Sequence, residues 1–222
     1  TVWFLILGIW TLFLYQQPNH NNLLHFLYNL GYAAFMLPAI CVLVYKFIQD
    51  SKNKYVYIFF ILSSISFFLA NITWLYFNLF LETAVPYPSV ADFFWLSFCG
   101  FSLIASILIF VSQSPKIVNL FEIIFTTIIL FLPLHSFMSQ NITTSNSAII
   151  TTLNFLYPLL DSFLVAMFLT TLRKNPKLQN TNLAFLFSFL LLTLADALFA
   201  YQTNIEKYWN GNITDLFFAL AA

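Results

Sequence analysis

The sequence predicts an all-α protein, a polytopic bundle of transmembrane helices, and three observations support this fold class. Apolar residues make up 61% of the chain and charged residues only 7%, whereas soluble domains carry about 25% charged residues. The apolar residues fall in long runs, and a helix needs about 20 such residues to cross a bilayer. Lys and Arg are concentrated in alternate loops between these runs, as in multi-pass membrane proteins. The lipid bilayer is therefore the first predicted partner.

The apolar runs predict about eight transmembrane helices in a single integral membrane domain that covers residues 1–222. The loops between the runs are short and polar, and they contain turn-forming Pro and Gly residues. The first and last runs are shorter than a full span, so we expect the domain to be truncated at both ends. The predicted helices are residues 1–15, 23–48, 55–81, 90–112, 117–138, 147–172, 182–203 and 213–222.

The basic residues predict the orientation of the chain in the membrane. Short loops rich in Lys and Arg stay in the cytoplasm, so both chain ends are expected to be cytoplasmic, in a plasma membrane. Only Lys207 falls in a loop on the outer side. The formal net charge is +0, which argues against nucleic acid as a partner. The cations of the predicted inner loops are Lys46, Lys52, Lys54, Lys116, Arg173, Lys174 and Lys177.

Two stretches of the sequence resemble each other and predict an internal repeat. Residues 69–95 contain Leu-Ala-Asn and later Ser-Val-Ala-Asp-Phe-Phe-Trp, and residues 194–218 contain Leu-Ala-Asp and later Asn-Ile-Thr-Asp-Leu-Phe-Phe. The third and fourth predicted helices thus resemble the seventh and eighth. Both copies start from the inner side, so the predicted repeat is parallel rather than inverted.

Asp92 and Asp215 are the most prominent polar residues of this repeat. Each lies three positions after a good N-cap residue, Ser89 or Asn212, at the predicted outer end of a helix. This spacing is typical of a capping box, in which a carboxylate lies near the positive end of the helix. Capping alone accounts for both acids. The functional alternative is that they line a shared outward-facing vestibule.

Asp161 and Asp196 lie deep inside predicted spans, where the sequence offers no Lys or Arg to pair with them. A buried acid without a cation is usually protonated or holds an ion, and an intramembrane ionisable residue is a candidate for function. The alternative is a neutral acid that is hydrogen-bonded to a neighbouring helix. Asn71 is the repeat equivalent of Asp196, and the two are expected to face each other. The hypothetical ligand-binding residues are Asn71, Asp92, Asn154, Asp161, Asp196 and Asp215.

The sequence predicts neither a metal site nor a cofactor. His20, His25 and His135 fall near the predicted outer face, where surface histidines are more common than metal ligands. Cys41 and Cys99 lie within apolar runs and are expected to be free thiols rather than a disulfide.

Catalytic function is not predicted either. The sequence contains no phosphate-binding Gly-rich loop, no HExxH motif and no GxSxG motif. Glu122, on the predicted inner side, is expected to be hydrated or to pair with Lys116.

Three segments of the chain resemble a known type of membrane domain. They are Val85–Leu96 (Val-Pro-Tyr-Pro-Ser-Val-Ala-Asp-Phe-Phe-Trp-Leu), Tyr157–Ser162 (Tyr-Pro-Leu-Leu-Asp-Ser) and Leu194–Tyr201 (Leu-Ala-Asp-Ala-Leu-Phe-Ala-Tyr). This uncharacterised multi-helix domain precedes PAS, histidine-kinase or diguanylate-cyclase modules in bacterial and archaeal signalling proteins. The resemblance covers the third to eighth predicted helices. It implies a sensory or anchoring role, with a cytoplasmic signalling module in cis after residue 222.

The sequence leaves three functional hypotheses. The first is a non-catalytic sensor domain, expected to work with its signalling module and as a homodimer, that detects a small or lipidic ligand or a membrane state in an outward-facing cavity. The second is an ion-coupled transporter or permease that uses Asp161 and Asp196, since Pro158 leaves an unpaired carbonyl near Asp161. The third, ranked lowest, is a membrane enzyme acting on lipid.

Overall fold

The computed structural model describes residues 2–17, 23–34, 36–81, 83, 85–139, 148–174, 179–205 and 207–221. These residues form nine α-helices and no strand. The helices are α1 (Val2–Tyr15), α2 (Leu23–Ala34), α3 (Met36–Gln49), α4 (Lys54–Leu79), α5 (Val90–Ser112), α6 (Ile117–Ser139), α7 (Ala148–Lys174), α8 (Gln179–Asn204) and α9 (Ile213–Ala221).

The predicted helical bundle is confirmed, and its composition is compatible with a multi-pass membrane protein. Five helices contain segments that are long and apolar enough to cross a membrane. The apolar segments Leu5–Tyr15 of α1 and Met36–Gln49 of α3 are shorter. The five long segments are Lys54–Leu79, Val90–Ser112, Ile117–Phe137, Ala148–Lys174 and Leu183–Thr203.

The predicted count of about eight helices is not supported, since the described residues form nine. Helices α2 and α3 both lie within the second predicted span, and residue 35 between them lies outside the described residues. Pro38 lies within α3.

Two of the other prolines are tolerated inside helices. Pro133 lies within α6 and Pro158 within α7, and both helices continue through them. Each proline leaves the carbonyl four residues earlier without its helical donor. In α7 that carbonyl belongs to Asn154, so the helix has a weakened backbone ladder between Asn154 and Pro158.

The largest buried apolar cluster joins α4, α5, α7, α8 and α9. At its centre the ring of Phe168 stacks on Phe185 and Phe189, with ring centroids 5.0 and 5.4 Å apart. A second cluster joins α1, α2, α3, α4 and α9. Helix α9 contributes Phe218 to the first cluster and Ala219 to the second. This short helix therefore connects the two halves of the bundle.

The connection between α3 and α4 is held by one carboxylate at the predicted inner end. Asp50 accepts hydrogen bonds from the backbone N–H of Lys52 and from the side chains of Asn53 and Tyr57, at 3.1, 2.7 and 3.2 Å. These bonds, that from Asn53 above all, lower the pKa of Asp50 below its ordinary value. Asp50 is therefore an ionised, solvent-accessible carboxylate.

Glu122 pairs with Arg173 and not with Lys116, which corrects the sequence-based expectation. An Nη1 atom of Arg173 on α7 lies 2.6 Å from Oε1 of Glu122 on α6. The Glu122 side chain is 21% exposed and that of Arg173 is 71% exposed. Packing of α6 against α7 brings together two residues that are far apart in sequence, whereas Lys116 is near Glu122 only along the chain.

Replacement of Glu122 by Gln is expected to change the free energy of unfolding by less than about 1 kcal/mol. An ion pair with one largely exposed partner gains little because water screens the charge and the Arg side chain loses entropy. Thermal unfolding in detergent micelles at low and high salt measures this effect. A loss of much more than about 1 kcal/mol that persists at high salt would contradict the assignment of the pair as a solvated one.

Candidate functional site

Asp92 caps α5, as the sequence predicts. Its Oδ2 atom accepts a hydrogen bond from the backbone N–H of Ser89 at 2.7 Å, while the Ser89 hydroxyl accepts one from the Ala91 N–H at 3.1 Å. These two bonds form a capping box. The other oxygen of Asp92 accepts a bond of 2.9 Å from the hydroxyl of Tyr157 on α7. The carboxylate therefore joins two helices as well as capping one.

Asp215 has a similar role at the start of α9, with one difference. Its oxygens accept bonds from the Tyr208 hydroxyl at 2.9 Å and from the backbone N–H of Gly211 at 2.5 Å. Asn212 is the N-cap, because its Oδ1 accepts from the Thr214 N–H at 2.8 Å. Asp215 thus reaches one residue beyond the N-cap, to the left-handed Gly211. Asp215 therefore accepts a backbone N–H at the start of α9, as predicted, but from the residue before the N-cap rather than from the N-cap itself.

A second tyrosine joins the loop before α5 to α7. The hydroxyl of Tyr87, in the loop before α5, donates a bond of 2.7 Å to Oδ1 of Asn154 on α7. Burial raises the pKa of Tyr87 above its ordinary value, and the charges of Asp92 and Asp196 add to the rise. The Tyr87 hydroxyl therefore remains a hydrogen-bond donor at physiological pH.

Asp161 and Asp196 form a pair of carboxyl groups inside the bundle. Asp161 on α7 is 0% exposed, and Asp196 on α8 is partly buried and close enough to interact with it directly. Neither carboxyl oxygen of Asp161 makes a hydrogen bond of normal geometry in the described structure. No cation pairs with either acid among the described residues, where the one salt bridge is that of Glu122. The absence of a hydrogen bond to Asp161 disfavours the alternative of an acid bonded to a Ser, Thr or Tyr of a neighbouring helix.

The charges of the acid pair also act on two further groups, one of which is bonded to Asp92 at the predicted outer end. Tyr157 interacts with Asp92 and Asp196, and the buried thiol of Cys99 on α5 interacts with Asp161 and Asp196. Together these groups form what we call the polar column, which runs between α5, α7 and α8. Its members, from the predicted outer end inward, are Tyr87, Asn154, Asp92, Tyr157, Asp196, Cys99 and Asp161.

Four of the six predicted site residues belong to the polar column, and the other two, Asn71 and Asp215, do not. Asn71 is buried in α4, where its Nδ2 donates to the Phe67 carbonyl at 2.9 Å and its Oδ1 has no partner. Among the hydrogen bonds of the described residues, none joins Asn71 to Asp196. Asp215 lies in the first turn of α9 with its own partners. The facing of Asn71 and Asp196, and ligand binding by any of the six, stay predictions.

The histidines are not simple surface residues. His25 is 0% exposed, and its ring packs edge-on against Trp209 at 5.4 Å. His135 is half-buried and stacks on Phe131 at 5.2 Å. The prediction of surface histidines is therefore wrong for His25, because α9 and its preceding turn cover this end of α2. His20 lies outside the described residues.

A metal site finds no support in the described part of the chain. There, no group of three or more His, Cys, Asp or Glu side chains lies close enough to hold a metal ion. Cys41 and Cys99 are both free thiols, as predicted. The chemistry available in the polar column is that of carboxyl and hydroxyl groups, which bind and transfer protons.

Sequence reasoning missed Tyr157 and Tyr87 as members of the site. One signal was available for Tyr157. Asn154, Tyr157 and Asp161 are spaced at i, i+3 and i+7, which places them on one face of α7. Tyr87 offered no such signal, because it lies in a loop.

Comparisons with known proteins give no family to this chain. No protein-family model matches it, and neither a curated protein nor a solved structure matches it.

Proposed function

We propose that this chain is a membrane-embedded sensory domain whose input is a proton bound between Asp161 and Asp196. The observation that carries the proposal is the buried carboxyl group of Asp161, which has no Ser, Thr or Tyr partner and interacts directly with the carboxyl group of Asp196. Two carboxyl groups that interact directly in a low-dielectric interior do not both ionise readily, so the pair holds a proton. In this proposal the proton exchanges with the outer side along the polar column, in which hydrogen bonds join Tyr87 to Asn154 and Tyr157 to Asp92.

Release of the proton gives the domain two states of unequal energy. Loss of the proton leaves negative charge on two facing acids, and their repulsion favours separation of α7 from α8. The weakened backbone ladder between Asn154 and Pro158 is the place where α7 bends most readily. A stimulus shifts a protein between two states only when it binds them unequally, and protonation of this pair meets that condition.

The proposal includes the finer features that the sequence suggests. The domain lies in a plasma membrane with both ends in the cytoplasm, acts as a homodimer, has no catalytic activity of its own and signals to a cytoplasmic module in cis. Helices α4–α5 and α8–α9 derive from a parallel repeat. The similar caps support the repeat, because Asp92 and Asp215 each accept one backbone N–H and one tyrosine hydroxyl.

Infrared difference spectroscopy of the protein in lipid nanodiscs tests the proton site. The C=O stretching band of a protonated carboxyl group is expected at neutral pH and is expected to disappear as the pH rises. The double variant Asp161→Asn/Asp196→Asn should remove this band, because it removes both acids that share the proton, whereas either single variant leaves one buried acid that still holds a proton. The matched control is Asp50→Asn, which should leave the band unchanged because Asp50 lies between α3 and α4 and is ionised.

Two results would count against the proposal. A band that survives in the double variant Asp161→Asn/Asp196→Asn would place the protonated group elsewhere. A band that behaves as expected, with tryptophan fluorescence that does not change across the same titration, would show a proton site without a conformational response.

The ion-coupled transporter remains the second candidate, favoured by the same acid pair and by Pro158. Proteoliposomes that contain a trapped pH-sensitive dye separate the two functions. A transporter gives a proton flux that is lost in Asp161→Asn and Asp196→Asn. A sensor gives the infrared and fluorescence changes with no flux above that of empty liposomes.

A further inference from the structure

A groove with a volume of about 260 Å³ lies between α6 and α8 and has α7 as its floor. Leu130, Pro133 and Phe137 of α6 form one wall, Leu190 and Thr193 of α8 form the other, and Ser162 lies in the floor. Pro133, Phe137 and Leu190 are exposed. The groove therefore opens at the side of the bundle, where a membrane-spanning protein meets lipid, and not at its end.

The floor of the groove contains an unsatisfied hydroxyl group. Ser162 is 1% exposed, and its Oγ has no hydrogen-bond partner. Several other buried hydroxyls donate to carbonyls of their own helix, as Ser106 does to Ser102 and Thr171 to Met167, both at 2.7 Å. The hydroxyl of Thr170 also has no partner, but Thr170 does not line the groove. A buried hydroxyl without a partner is costly, so a molecule that accepts its hydrogen bond in the groove removes that cost.

The depth and lining of the groove restrict the ligand to a neutral molecule. Ser162 lies 14 residues after the first residue of α7, or about 21 Å along the helix axis, near the middle of a bilayer. A charged group at this depth is expensive, and the groove residues named above are uncharged. The Thr193 hydroxyl is already bonded to the Phe189 carbonyl at 2.8 Å. Ser162 therefore provides the specific polar contact.

We propose that this groove is a binding site for a neutral, apolar carbonyl compound that enters laterally from the bilayer. Its carbonyl oxygen accepts the hydrogen bond of Ser162, and its apolar body occupies the space between α6 and α8. The volume exceeds that of a cavity of about 150 Å³ that holds benzene, so one aromatic ring with a short substituent fits. This site is independent of the proton at Asp161 and Asp196.

Photolabelling of the protein in nanodiscs with deuterated benzophenone tests the proposal. Benzophenone is a neutral aromatic ketone that attaches covalently to nearby C–H bonds on illumination, and mass spectrometry of the peptides locates it. We expect labelling concentrated in the α6 and α8 peptides that line the groove. Unlabelled benzophenone should compete about threefold to tenfold better than diphenylmethane, which has the same two rings without the carbonyl. The expected difference is the contribution of one hydrogen bond to binding.

Three variants make the test specific. Ser162→Ala should weaken benzophenone binding by about threefold to tenfold, and Thr193→Phe should abolish labelling of the groove by filling it. The matched control is Ser97→Ala on α5, whose hydroxyl bonds to the Phe93 carbonyl of its own helix, and it should leave labelling unchanged. Labelling spread evenly over the lipid-facing helices, or equal competition by the two compounds, would overturn the proposal.

Discussion

Joint replacement of Asp161 and Asp196 by leucine is expected to raise the free energy of unfolding of this protein by about 1–3 kcal/mol, the cost of burying polar groups that have few partners. Asp161 is fully buried, and neither of its oxygens has a hydrogen bond of normal geometry. Both positions are changed together because a single replacement would leave the other acid without its partner. The double change should also abolish the pH-dependent infrared band, so stability and function are expected to move in opposite directions.

The matched control for this prediction is Asp92→Leu. The Asp92 carboxylate accepts bonds from the Ser89 N–H and from the Tyr157 hydroxyl, so its loss should lower the free energy of unfolding by about 1–3 kcal/mol. Thermal unfolding of both variants in the same micelles measures the two effects. Equal destabilisation by the two changes would mean that Asp161 has a structural partner, and the site would lose its main support.

Gly211→Ala is expected to lower the free energy of unfolding by about 2–4 kcal/mol, from backbone strain and overpacking together. Gly211 has a φ of 89°, in the left-handed region that side chains other than glycine avoid. A Cβ atom at this position would overlap Cδ1 of Leu14 and lie 3.4 Å from Cγ of Tyr28. Leu14 and Tyr28 are 0% exposed, so neither can move aside without disturbing α1 and α2.

Gly100→Ala is the control for this second prediction. Gly100 lies in the middle of α5, and no heavy atom is within 4 Å of the position of its Cβ. Alanine is favoured over glycine inside a helix, so a gain of about 0.5–1 kcal/mol is expected. Thermal unfolding of the two variants compares them directly. A loss in Gly211→Ala no larger than the change in Gly100→Ala would show that the turn before α9 is not packed against α1 and α2.

The effect of Gly211→Ala should extend beyond stability to the placement of α9. The Gly211 N–H donates to Asp215, and α9 carries Phe218 and Ala219 into the two large apolar clusters. Displacement of this turn therefore loosens both halves of the bundle. Increased proteolysis near residues 207–212 in Gly211→Ala, with wild-type protection in Gly100→Ala, is the expected sign of this displacement.

The sequence by itself determined the helical class, the positions of most helices and the capping role of Asp92. These features depend on composition and spacing over about 20 neighbouring residues, since an apolar run must satisfy its backbone hydrogen bonds internally in lipid.

Only the tertiary structure decided which acids have partners. Asp92 and Asp161 are the same residue type in apolar helices, yet one accepts bonds from Ser89 and Tyr157 and the other has no bond of normal geometry. Tyr157 is 65 positions from Asp92 in sequence, and Arg173 is equally unforeseen as the partner of Glu122. Burial and pairing depend on side chains from helices that are distant in sequence. Those contacts cannot be predicted from local composition.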